Sequence, residues 1–183
     1  MFNTSFKAGC ATGDDWQSVA SNCLKEIGTE PTSANFGFLY ITDVLAPYLQ
    51  TLLDEFRKAT GIRDWVGTVG TGICCSGREI YDKPAAAIML ATLPADSYRL
   101  VPSGISELSD MLRENQSWIS ENSVHFGVVH GDPRNNHIAH IIDSLSADLD
   151  PGFLVGGLTS ASDESLMQQV AGEVSEDGLS GVL

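Results

Sequence analysis

ANFGFLYITD, residues 34–43, is a run of aromatic and aliphatic residues that stops at an aspartate. An apolar run of this length fits a strand covered on both faces. The period then changes. Leu45, Leu49, Leu52, Leu53 and Phe56 recur at helical spacing up to about Thr60, and Gly61 stands where a helix would stop. Asp43 lies at the junction, where aspartate caps helices, and Pro47 is compatible only with a first turn, so the helix start is ambiguous by a few residues. The order of strand, acidic turn and helix occurs twice more. SFKAGCATG (5–13) leads through Asp14 and Asp15 into a helix from Trp16 to Ile27, closed by Gly28. SVHFGVVHG (123–131) leads through Asp132-Pro133 into a helix ending near Leu149, with Ile138, Ile141, Ile142, Leu145 and Leu149 as its buried stripe. Aspartate before proline predicts an N-cap with proline at the first helical position.

Two of these units continue alike. WVGTVGTGICC (65–75) follows one helix and GFLVGGLTSAS (152–162) the other, and each precedes a further strand, AAAIMLATLP (85–94) and GLSGVL (178–183). Residues 35–93 and 123–183 therefore read as two βαββ units, joined by a strand over SYRLVP (97–102) and an amphipathic helix over residues 105–122. The predicted fold class is α/β, a mixed sheet built from two βαββ-type units with helices packed on it. The terminal strand ends the chain as it begins, so residues 1–183 read as one domain that is a piece of a longer protein.

The chain has 183 residues, 43% of them hydrophobic and 19% charged, which is globular composition. A formal charge of −14 repels phosphate backbones and anionic lipids, so neither nucleic acid nor membrane is an expected partner. No apolar run reaches the ~18 residues of a membrane span, and the start MFNTSFKAGC lacks a basic-then-apolar leader. A cytoplasmic location with reduced thiols follows as the expectation. Cys10, Cys23, Cys74 and Cys75 form no C-x-x-C pair, and packing in the core is the favoured role for free cysteines.

Gly72 to Gly77 has phosphate-loop spacing, but Arg78-Glu79 stands where lysine and a hydroxyl are required. The dinucleotide pattern fails because Cys75 occupies its last glycine position, and no G-x-S-x-G elbow is present. His125, His130, His137 and His140 share one window without a third ligand at metal spacing, so no metal is expected. What remains is ligand binding at the carboxyl ends of strands. There, helix N-termini attract a carboxylate and neighbouring aspartates an ammonium, an arrangement suited to a zwitterion. Glycines let a ligand or another backbone approach closely. The candidate ligand-binding residues are Asp43, Gly70, Thr71, Gly72, Asp132, Arg134, Asn135, Gly156 and Gly157. Capping for the aspartates, and tight packing or a bulge for the glycines, are the structural alternatives.

FGFLYITD (36–43), WVGTVGTGICCSGREIYDKPAAAIMLATLP (65–94), VVHGDPRN (128–135), FLVGGLTS (153–160) and GLSGVL (178–183) together resemble the N-terminal half of FIST domains. The resemblance implies a non-catalytic sensory module of cytoplasmic signal transduction that binds a small molecule, with amino acids the proposed class. It implies a FIST C-terminal domain or a downstream signalling protein as partner. Two alternatives come with it: a substrate-recruiting scaffold of an F-box-type ubiquitin ligase subunit, and a gas sensor carrying haem on a histidine.

Overall fold

The computed structural model describes residues 5–28, 33–94, 96–105, 117–122, 124–149 and 152–183. The fold is α/β. Strand β1 (Ser5–Thr12) leads into helix α1 (Trp16–Ile27), whose start is fixed by a capping box: Asp15 Oδ1 accepts from the Ser18 N–H and the Ser18 hydroxyl accepts from the Asp15 N–H. Strand β2 (Phe36–Thr42) is covered on both faces, as its unbroken apolar run requires. Asp43–Tyr48 then forms a 3-10 helix, and helix α2 proper runs over Leu49–Thr60. Pro47 separates the two: it has no N–H to give and crowds the preceding turn. Gly61 ends α2 in the left-handed conformation.

The run expected as one strand after α2 is two. Strand β3 (Asp64–Gly70) lies beside β2, and after Thr71 the chain leaves the sheet as strand β4 (Gly72–Cys75), which pairs with strand β5 (Arg78–Tyr81). The hairpin turns through Ser76 and Gly77, both at positive φ, which a two-residue turn of this kind demands. Strand β6 (Ala85–Thr92) returns between β1 and β2, antiparallel to both. Strand β7 (Leu100–Ile105) opens the second half. Of the helix expected over 105–122, residues 117–122 are helical and 106–116 lie outside the described residues.

Strand β8 (Phe126–Gly131) is followed by helix α3 (Ile138–Asp148), not by a helix beginning at Asp132-Pro133. Asp132 Oδ1 accepts from the Arg134 N–H and Asn135 Oδ1 from the His137 N–H. These side-chain turns occupy the segment where the helix was expected. Strand β9 (Phe153–Leu158), strands β10 (Gln169–Ala171) and β11 (Glu173–Ser175), and strand β12 (Leu179–Val182) complete the chain.

The strands form two mixed sheets rather than one. The six-stranded sheet has the order β1-β6-β2-β3-β10-β11 and the four-stranded sheet the order β7-β12-β8-β9. In both, the third strand is parallel to the fourth and antiparallel to the second. The outer face of the larger sheet is covered by α1 and α2 around Leu39, Ile41, Leu53, Phe56 and Trp65. That of the smaller is covered by α3 and the helical residues near Trp118, around Val129, Ile141 and Leu145. The inner faces meet through Phe36, Phe38, Val66, Val128 and Val182. The layers thus run helices, sheet, sheet, helices. No described helix is long and apolar enough to cross a membrane.

Candidate functional site

The carboxyl ends of β2, β3 and β8 converge on the segment that joins β9 to β10, residues 159–168. Ser160 donates its N–H to the Val69 carbonyl (3.3 Å), and its hydroxyl accepts from the Thr71 N–H (3.2 Å). Val69 donates to the Gln168 carbonyl (3.0 Å), and the hydroxyls of Thr68 and Thr159 lie 2.7 Å apart. The Ser162 N–H donates to Asp43 Oδ2 (2.7 Å). Asp43 is buried and holds this segment rather than capping a helix with its side chain.

Asp132 anchors the other side and is 1% exposed. Its carboxylate accepts from the Arg134 guanidinium (Nε at 3.0 Å) and from the Asp177 N–H (3.0 Å). Burial alone would raise its pKa, but the Arg134 side-chain and backbone donors and the Asp177 N–H outweigh that and hold it below the usual range. Arg134 passes the connection onward, donating to the carbonyls of Glu164 (2.9 Å) and Met167 (3.2 Å). Beside them Gln169 is fully buried. With its amide nitrogen toward the His130 carbonyl (3.1 Å) and the Ser180 hydroxyl (2.6 Å), its oxygen accepts from the Thr159 hydroxyl (3.2 Å) and the Asp132 N–H (2.9 Å). That orientation is assigned from the hydrogen-bond network, since it satisfies every polar atom of the amide.

Most of the sequence-predicted residues therefore do gather. Asp43, Gly70, Thr71, Gly72, Asp132 and Arg134 lie around one segment, with Asn135 adjoining, but Asp43, Asp132 and Arg134 are already bonded to protein groups. Gly156 and Gly157 lie on β9, the strand at one edge of the smaller sheet, and are exposed. Their glycine signal has a backbone cause. A Cβ at Gly156 would fall 1.8 Å from the Val129 carbonyl oxygen, and one at Gly67 would fall 1.7 Å from that of Leu39. The two sites occupy matching registers, Leu39 beside Gly67 and Val129 beside Gly156.

One contact escaped the sequence reading. Tyr40 on β2 and His130 on β8 meet between the sheets, hydroxyl to Nε2 at 3.1 Å. Burial pushes the His130 imidazole down to about 4 and the Tyr40 phenol up to about 12, so both are neutral at pH 7. His130 Nδ1 is buried without a partner among the described residues. The signal was present: setting FGFLYIT over FGVVHGD puts Tyr40 above His130.

Among the cavities of the described surface are two of several hundred Å³. One, of ≈ 740 Å³, is a groove between α1 and α2. The other, of ≈ 490 Å³, opens between the two sheets at the amino ends of β2 and β8, away from the residues predicted for binding. Phe36, Phe38, Tyr98, Trp118 and Phe126 are among its walls, and Asp96, Asn122 and His125 share its lining. Among the described residues, no group of three or more His, Cys, Asp or Glu side chains is placed to hold a metal ion.

No curated protein matches the chain. A model of the FIST N domain matches residues 35–183, which takes in β2 through β12 and leaves β1 and α1 before it. FIST domains are sensory signal-transduction modules, and this chain belongs to the FIST family as a FIST N domain.

Proposed function

We propose that this domain senses a small molecule in the cavity between its two sheets, and that the ligand is an amino acid with a large apolar side chain. The supporting observation is the aromatic cavity of ≈ 490 Å³, which falls within the roughly 300–1,000 Å³ of small-ligand sites. Phe36, Phe38 and Trp118 offer ring faces to an apolar body. Asp96 would attract an ammonium, and the Asn122 amide would donate to a carboxylate. The matching strand orders and registers support a chain built as two copies of one unit, with the cavity at their seam. A ligand held by both sheets favours one relative placement of the two, which a FIST C-terminal domain or a downstream signalling protein would read. The reading assigns no catalysis. Calorimetry and thermal shift with phenylalanine, tryptophan, leucine, glycine and aspartate test it. The first three should raise Tm at millimolar concentration, and Phe126→Ala should weaken their binding about tenfold. No stabilisation by any of them defeats the amino-acid reading.

The haem alternative is favoured by one feature: His125 lies in the lining of the same aromatic cavity, whereas His130 is engaged by Tyr40. His125 would hold the iron, and the haem would supply diatomic-gas binding. Titration with haemin tests it, since a Soret shift lost in His125→Ala is expected and an unchanged spectrum rejects it.

A further inference from the structure

Cys10 and Cys75 are 65 positions apart in sequence and share one small core. Cys10, on β1, is fully buried, and Cys75, at the end of β4, is partly exposed. Both pack in the small core that the β4–β5 hairpin makes with the inner face of the larger sheet, together with Ile73, Ile80, Ala85 and Ala87. Cys75 packs against the cluster that contains Cys10. A polar chain closes the same corner: the Cys10 N–H donates to Glu26 Oε2 (2.7 Å), and Glu26 pairs with Arg78 (3.0 Å), which is the β5 residue in register with Cys75. Cys74 points the other way and is exposed.

We propose that Cys10 and Cys75 form a disulfide by exchange with a low-molecular-weight disulfide of the glutathione class, fastening the β4–β5 hairpin to β1. Cys75 is the attacking group, because it is the one that solvent reaches. Its thiolate attacks one sulfur of the small disulfide, forming a mixed disulfide and releasing one thiolate, which takes up a proton. Cys10 then loses its proton and attacks the Cys75 sulfur, displacing the second thiolate. Two protein thiols lose two electrons in all, and one small disulfide becomes two thiols. Closing from shared packing to a bond of about 2.05 Å takes side-chain rotation and a shift of the hairpin.

The groups that bear on Cys10 are Cys75 on β4, Arg78 on β5 and Glu26 on α1, while Cys23 lies across the sheet in the core that α1 covers. Burial first, then Cys75, pushes the Cys10 thiol up to about 11, while Arg78 acts in the opposite direction. Ring closure is accordingly the slow step at neutral pH.

The experiment uses the full chain with excess oxidised glutathione, followed by non-reducing peptide mapping. A Cys10–Cys75 linked peptide is expected, together with a Tm higher by about 5–10 °C that dithiothreitol reverses. Closure of the mixed disulfide should quicken about tenfold per pH unit between pH 7 and 9. Cys74→Ser should keep the link and Cys75→Ser should lose it. Glutathione that stays on Cys75, a Cys74–Cys75 or intermolecular link, or Cys74 as the sole modified site would each overturn the proposal.

Discussion

A methyl group at residue 67 would have nowhere to go. The Leu39 carbonyl fills the space where it would sit, and backbone in the middle of a sheet cannot retreat as a flexible side chain can. Gly67→Ala should therefore lower stability by about 3 kcal/mol in urea denaturation. Gly157→Ala is the internal control: a Cβ there meets nothing within 4 Å, so its effect should stay within about 0.5 kcal/mol. Equal effects of the two substitutions would contradict this account. The comparison separates glycines that the sheet requires from one that it does not, a distinction invisible in the string VGTVG or VGGL.

Strand β3 is covered on its outer edge by β10, and the β10–β11 turn is held from the helix layer. Arg57 on α2 donates to the carbonyls of Arg63 (3.2 Å) and Gly172, while the Gly172 N–H donates to the Trp65 carbonyl (2.8 Å). Arg57→Met keeps most of the stem and removes the donors. It should cost about 1.5 kcal/mol and speed amide exchange at Gly172 relative to β2. The elements that long apolar runs announce, β2, β6, α1 and α2, were legible in the sequence, because burial on one or both faces leaves a period. The β4–β5 and β10–β11 hairpins were not, since strands of three or four residues carry no period. The start of α3 was misplaced because Asp132 reads as a cap until Arg134 and Asp177 are seen to bond its carboxylate. At the candidate site, the strand-end residues Asp43, Thr71, Asp132 and Arg134 surround residues 159–168, and their polar groups are engaged by protein partners. The aromatic cavity went unread because its walls come from parts of the chain far apart in sequence, among them Phe6, Phe36, Leu93, Tyr98, Trp118 and Val182.

Between the sheets, His130 gives the whole molecule a pH response. Its folded pKa of about 4 lies below the ordinary 6.5, so the unfolded chain takes up the proton first as pH falls. Its contribution is complete above pH 6.5 and is lost progressively down to about pH 4, in all about 3 kcal/mol. Asp132, held below its ordinary 3.8, contributes above that value and loses its share only as pH falls further. Urea denaturation at pH 7, 5.5 and 4.5 should show the His130 slope in the wild type and a flatter profile in His130→Gln. Parallel profiles would remove the imidazole as its source. The β1–β6 ladder, paired residue by residue from Ser5–Thr92 to Thr12–Ala85, carries a different message. Those first residues fall outside the stretch by which the family is identified, yet Val19, Ala20 and Cys23 fill the same interior as Leu39 and Phe56. Trimming the polypeptide to its recognisable portion would strip one flank from β6 and unroof the largest oily compartment, so the boundary of kinship here is not the boundary of what must fold together.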